Sequence, residues 1–188
     1  MEIILKNVSV NIRDRAILKS ISTSFRSGEI VLVIGENGSG KSTLLKVLGG
    51  IVEYKGEILL PEGYEEISLL TGYVFQNPET QIIGSTVFED VVFGLENIGL
   101  SRKEMERRVH YVLDLLELSH LKSFDPYYLS GGQKQRLAIA SILALEPEFL
   151  LLDEVTAMLD KNGKKEVITA IEKLKTLGKG IVVASHEL

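Results

Sequence analysis

Residues 31–43 read Val-Leu-Val-Ile-Gly-Glu-Asn-Gly-Ser-Gly-Lys-Ser-Thr, and this stretch constrains the chain more than any other. Four consecutive apolar residues, Val31 to Ile34, predict a buried parallel strand. Gly35-x-x-x-x-Gly40-Lys41-Ser42 follows, the spacing of a phosphate-binding loop. Its glycines let backbone approach an anion where a Cβ would intrude. Successive N–H groups of Gly35, Glu36, Asn37, Gly38, Ser39 and Gly40 then point into one concavity. A helix is expected from about Lys41, its positive end facing the phosphates. Lys41 is expected to reach the β- and γ-phosphates, and Ser42, followed by Thr43, to offer an oxygen to Mg²⁺. The plainer alternative is a glycine-rich turn between strand and helix. The apolar residues after the loop, Leu44, Leu45, Val47 and Leu48, favour the phosphate reading.

Composition limits the rest. A chain of 188 residues is one domain with room for an inserted subdomain, and 45% apolar residues suffice for a packed core. A net charge of −5 argues against a general nucleic-acid binder. There is no cysteine, hence no disulfide and no thiolate metal site. Met1-Glu2-Ile3-Ile4-Leu5-Lys6 lacks the basic start and long apolar core of a signal peptide, and no apolar run is long enough to span a membrane. A membrane role would therefore come through a partner. No internal repeat, low-complexity tract or linker interrupts the sequence.

Taken in order, residues 2–12 and 21–25 are strand-like and flank the turn-prone Arg13-Asp14, which predicts an antiparallel edge. Gly49-Gly50 should end the loop's helix. Short strands are expected at Gly56–Leu60, closed by Pro61, and at Tyr73-Val74-Phe75. Residues 84–128 read as a helical insert. Thr86-x-x-Glu89 and Ser101-x-x-Glu104 are capping patterns, the second opening a helix with Met105, Val109, Val112, Leu113 and Leu116 on one face. His110 and His120 have no partner at metal-ligand spacing. Phe149–Leu152 and Ile181–Ala184 are apolar runs expected as buried parallel strands. Between them a helix is expected over 164–177, with Val167, Ile168, Ile171 and Leu174 inward and Gly178 as its cap. Strand, helix and strand in this order mean a parallel sheet with helical crossovers.

Two further stretches carry chemistry. Leu152-Asp153-Glu154 closes a strand, where a doubly wound sheet places its ligands. Asp153 is suited to Mg²⁺, and Glu154, one residue on, to activating water as general base. An acidic loop is the plain alternative. Leu129-Ser130-Gly131-Gly132-Gln133 has the Ser-x-x-Gln capping pattern ahead of a helix through Leu137, Ile139, Ala140 and Leu143. Its two glycines leave a bare patch of backbone at a positive helix end, suited to another anion.

With these stretches together the chain resembles the nucleotide-binding subunits of ATP-binding cassette (ABC) proteins. Leu129-Ser-Gly-Gly-Gln-Lys-Gln-Arg136 is similar to that family's signature, and the phosphate loop, Gln76, the signature, Leu152-Asp-Glu154 and His186 stand in its order. The resemblance implies an α/β fold: a P-loop NTPase parallel sheet core with an antiparallel β subdomain and a helical insert, one ABC ATPase domain over residues 1–188. It implies ATP hydrolysis with ATP and Mg²⁺. Gln76 would contact Mg²⁺ or water and join the core to the insert. Ser130, Gly131, Gly132 and Gln133 would meet the nucleotide of a second ATP-binding subunit in a homo- or heterodimer, with Asp160 at the same interface. His186 would sense the γ-phosphate. Transmembrane transporter subunits would hold the protein at the cytoplasmic face of the membrane. Phe75-Gln-Asn-Pro-Glu-Thr-Gln81 and Thr86-Val-Phe-Glu-Asp-Val-Val-Phe-Gly94 more narrowly resemble the ATPase subunits of energy-coupling-factor and cobalt-type importers of vitamins or metal ions.

Three departures from the family pattern stand out. Ile12 occupies the position of an aromatic that stacks on adenine. Val155 follows the glutamate where proline is usual, and Met158 precedes Leu159 where a small residue is usual. The family's domain also continues beyond His186, so the resemblance implies that its last helix and strand are missing, leaving the sheet edge partly covered. Two rival functions follow from the same residues: a soluble ABC-type ATPase, and a nucleotide-sensing module with little turnover.

Overall fold

A computed structural model describes residues 1–186. The chain divides into two compact units, the first from Met1–Tyr73, Pro147–Glu154 and Lys175 onward, the second from Val74–Glu146 and Val155–Leu174.

The first unit holds two sheets. In the antiparallel sheet, β1 (Glu2–Ile12) lies between β2 (Arg15–Arg26) and β4 (Lys55–Leu59). In the other, the order is β3 (Ile30–Ile34), β7 (Gly180–Ser185), β6 (Phe149–Asp153) and β5 (Thr71–Val74), with β3–β7 and β6–β7 parallel. The helix α1 (Lys41–Leu48) packs against β6 and β7. One apolar core joins these layers, with Ile3, Leu5 and Phe25 from the antiparallel sheet, Leu45 and Leu48 from α1, and Phe149, Leu151 and Val182 from the parallel strands.

Two strand expectations need correction. β2 starts at Arg15, six residues before the sequence pattern suggests. Asn7 and Ser20 sit at φ 53, and the β1–β2 register shifts at three places. Such bulges break the two-residue alternation on which recognition of a strand depends. The hairpin turns on Arg13 and Asp14, both at positive φ, as a two-residue turn between right-twisted strands requires. β3 forms as expected but is not buried. It lies at the end of the strand order, and Leu32 and Ile34 are 57% and 47% exposed. The runs at β6 and β7, which have neighbours on both sides, are buried nearly throughout.

The second unit is helical: α2 (Val87–Glu96), α3 (Arg102–Leu115), α4 (Gly131–Leu143) and nearly all of α5 (Lys161–Lys175). It therefore extends beyond the 84–128 segment read as an insert. The reason is packing, since α4 lies against both α2 and α3. Thr86 and Ser101 cap α2 and α3 by accepting from the N–H groups of Glu89 and Glu104. Val109, Val112, Leu113 and Leu116 are buried as their spacing requires. α5 begins three residues earlier than expected, and its buried positions are Val167, Ala170, Ile171 and Leu174. Ile168 is exposed, because the helix turns its inward stripe through Ala170 instead.

Buried Asp90 organises the turn before α2. One carboxylate oxygen accepts from the N–H groups of Ile83 (2.7 Å) and Gly84 (2.9 Å), the other from Ser141 Oγ (2.7 Å). A buried carboxylate is tolerated here because both its oxygens accept hydrogen bonds.

Candidate active site

The phosphate loop runs from β3 into α1. Gly40 caps the helix in the left-handed region, φ +99, and no side chain bonds the first N–H groups. A Cβ on Gly40 would stand 3.0 Å from Leu18 Cδ2, so both conformation and space require glycine. The first amides of α1 are left to water or an anion. Lys41, nearly buried, donates from Nζ to the carbonyls of Gly35 (2.8 Å) and Glu36 (3.1 Å) and stands 3.2 Å from Glu154 Oε1. The loop is tightened further by Ser39 N–H donating to the Glu36 carbonyl.

From the other end of the sequence, β6 delivers Asp153 and Glu154. Ser42 Oγ donates to Asp153 Oδ1 at 2.8 Å, across 111 residues of chain. Tyr73 on β5 donates its hydroxyl to Asp153 Oδ2 at 2.6 Å. Burial pushes the Tyr73 phenol well above its ordinary pKa, and the hydrogen bond and charge of Asp153 push the same way. Tyr73 was not visible as a site residue in the sequence. The available signal was a phenol in a buried strand, whose hydroxyl needs a partner. Glu154 sits at φ 48, a strained backbone for a non-glycine residue, anchored by its N–H on the Ala184 carbonyl at 3.0 Å. His186 Nδ1 stands 3.7 Å from Glu154 Oε2. β7 carries the anchor and His186 directly follows it, so the parallel sheet itself aligns the group.

Ile12, Arg15, Ile17, Gly38, Gly40, Lys41, Ser42, Thr43 and Glu154 line one cavity of about 280 Å³ in this unit. Ser42 lines it, and buried Asp153 stands behind Ser42 as its hydrogen-bond acceptor; both are hard oxygen ligands of the kind Mg²⁺ takes. Among the described residues no three His, Cys, Asp or Glu side chains are grouped to hold a metal. A Mg²⁺ held here would keep several oxygens from water and phosphate, as that ion usually does. Asn37 is exposed on the loop.

The second unit carries the other predicted group. Ser130, Gly131, Gly132, Met158, Leu159, Asp160, Asn162, Gly163 and Glu166 line a cavity of about 260 Å³. Ser130 and Gln133 close a capping box: Ser130 Oγ accepts from Gln133 N–H (3.2 Å), and Gln133 Oε1 accepts from Ser130 N–H (2.9 Å). Gln133, expected to face a nucleotide, thus turns its amide oxygen back onto its own helix. Gly132 is also needed for packing, since a Cβ there would meet Gly163 Cα and Glu166 Oε2 at 3.0 Å. Asp160 Oδ1 accepts from Gly163 N–H at 2.7 Å, fixing the start of α5. Buried Val155 and exposed Met158 belong to this unit too.

Gln76 lines neither cavity. It follows Phe75, whose N–H donates to Gln81 Oε1 (3.2 Å) and whose carbonyl accepts from Gln135 Nε2 (3.3 Å). Gln81 and the buried Gln135 were not singled out as site residues in the sequence; Gln81 is only six positions from Phe75, whereas Gln135 reaches it across 60, which no local pattern records.

A phosphate loop on α1, carboxylates at the end of β6, a histidine after β7 and a glycine-rich helix start define a P-loop ATPase of the ABC kind. The ABC transporter family matches residues 18–157, and the chain belongs to it. It is 50% identical to the energy-coupling factor transporter ATP-binding protein EcfA1 of Thermotoga maritima, over all of this chain and 74% of that one. It is 43% identical to EcfA1 of Fusobacterium nucleatum, covering 97% and 72% of the two chains. Among solved structures it resembles cbiO1 of Clostridium perfringens, part of the ABC transporter complex cbiONQ. That match has a TM-score of 0.89 and 35% identity, covering 98% of this chain and 78% of that one.

Proposed function

We propose that the chain binds and hydrolyses ATP as the ATP-binding subunit of an energy-coupling-factor or cobalt-type importer of a vitamin or metal ion. The observation that carries this reading is the convergence of Lys41, Ser42, Asp153, Glu154 and His186 around one helix N-terminus. The amides of Gly35 to Thr43 would bind the phosphate oxygens, and Lys41 would place its charge on the β- and γ-phosphates. Mg²⁺ bound by Ser42 and Asp153 would neutralise phosphate charge as it does in related sites. A metal contact for Gln76 rests on the resemblance alone. Glu154, its direction fixed by the strained backbone and the Ala184 anchor, would accept the proton of the attacking water. His186 would hold the outer phosphate oxygens beside it.

Ser130, Gly131 and Gly132, with Asp160, form no part of the first unit's cavity. Their role is to close over the nucleotide held by a second ATP-binding subunit, in a head-to-tail dimer. We read residues 1–188 as one ABC domain, with the second unit as its helical part. A groove of about 330 Å³ there, lined by Glu79, Ile82, Ile83, Tyr127 and Lys134 among others, would receive the transmembrane partner. No helix among the described residues is long and apolar enough to cross a membrane, so attachment at the cytoplasmic face would run through that partner.

The test is Glu154→Gln, which keeps shape and hydrogen bonding but removes the base. Phosphate release should fall roughly 10²–10⁴-fold, the usual worth of general base catalysis. ATP binding should remain, and sedimentation with Mg-ATP should show a persistent dimer. A Glu154→Gln protein with wild-type turnover would overturn the assignment, and one that stays monomeric at high concentration would overturn the sandwich.

A further inference from the structure

The tip of the β1–β2 hairpin forms one wall of the cavity over the phosphate loop. β2 rests directly on that loop: the Ile17 carbonyl would stand 3.3 Å, and the Ile17 Cγ2 3.4 Å, from a Cβ on Gly40. Arg15 lies two residues further out along β2, about 7 Å at strand rise, and still lines the same cavity. Ile12 is its cross-strand partner in the register and lines the cavity beside it. Both are exposed. No aromatic ring lines the cavity among the described residues, and the Arg15 side chain has no hydrogen-bond or ion-pair partner among them. A nucleotide whose phosphates sit on the amides of Gly38 to Thr43 must extend its ribose and base toward some wall of this cavity. This wall offers two apolar side chains and one unengaged guanidinium.

We propose that Arg15 is the base-holding residue of this site, its planar guanidinium lying against one face of the purine while Ile12 and Ile17 give apolar contact. The proposal rests on the nucleotide reading above. A guanidinium is flat, weakly hydrated and always charged, and it stacks on π faces. Such a contact does not depend on the donor and acceptor pattern of one base, so adenine and guanine nucleotides should bind with similar affinity.

The experiment is calorimetric titration of Mg-ATP and of Mg-bound inorganic triphosphate into wild type, Arg15→Ala, Arg15→Lys and Lys41→Ala. Arg15→Ala should weaken ATP roughly three- to thirtyfold, the range of a cation–π contact, and leave triphosphate unchanged. Arg15→Lys keeps the charge without the plane and should recover little. Equal losses for ATP and triphosphate in Arg15→Ala would show a phosphate contact and overturn the proposal. Unchanged ATP affinity, or full rescue by lysine, would overturn it too. Lys41→Ala should weaken both ligands. If it changes neither, the nucleotide reading fails, which is a different result from a failure confined to Arg15. Melting curves with and without ligand show that each variant is folded, since Arg15 is exposed at a hairpin tip.

Discussion

α1 begins at Gly40 with no side-chain cap, whereas α4 begins at Ser130 inside a closed capping box. Both starts are rich in glycine, and from sequence both suit an anion. At α1 the first amides have no side-chain acceptor, and the charged groups around them come from distant parts of the chain. At α4 the chain satisfies part of its own helix end, and Gly132 is pressed against Gly163 of α5. The first region is thus built to take a ligand's oxygens in place of a cap. The second is a finished surface, with a serine hydroxyl still free to donate and one exposed glycine at its tip. In physical terms the first region should bind nucleotide alone, and the second should act only when another molecule brings a nucleotide to it.

The strongest way to break this comparison is Ser130→Arg. A bulky cation on the finished surface should leave ATP affinity of the isolated chain within about twofold. It should lower turnover roughly 10²–10³-fold, the usual worth of one preorganised charge-stabilising group. Titration beside a phosphate-release assay measures both, and a parallel loss of ATP affinity would make the two regions one binding site. Next is Tyr73→Phe, which sharpens the account of the first region. It leaves Asp153 Oδ2 short of a donor and should cost about 1–3 kcal/mol in denaturant unfolding, with the second region's surface unchanged. Smaller still is Gln133→Ala. Opening the capping box should cost about 1 kcal/mol and leave ATP binding untouched, and a large loss of affinity would show that Gln133 serves a ligand rather than its helix. The smallest effect is expected at Glu104, whose carboxyl is held down at about 2 by hydrogen bonds from Arg107 and then Arg108. A lowered carboxyl pKa stabilises above the ordinary value of 4.5 and loses that contribution as pH falls toward 2. Glu104→Gln should therefore lower the melting temperature slightly at neutral pH, and the difference should vanish across that acid window.

Local signals were readable wherever the chain answers them locally. The caps at Thr86, Ser101 and Ser130, the start of α1 at Lys41 and the turn at Arg13-Asp14 all follow from nearest neighbours. The early start of β2 was hidden because bulges at Asn7 and Ser20 disturb the alternation. The exposure of Leu32 and Ile34 was hidden because an apolar run looks the same at the centre and the edge of a sheet.

By itself the sequence determined the phosphate loop, the pair Asp153-Glu154 and the signature stretch, because each is a short pattern whose chemistry depends on spacing along the backbone. Only the tertiary structure decided that Tyr73 holds one oxygen of Asp153 while Ser42 holds the other. It also decided that Glu154 is strained and hung from Ala184, and that Arg15 shares the wall of the cavity over the phosphate loop. Those contacts join residues up to 111 positions apart. Strand order and register set them, and no local pattern records which strands become neighbours.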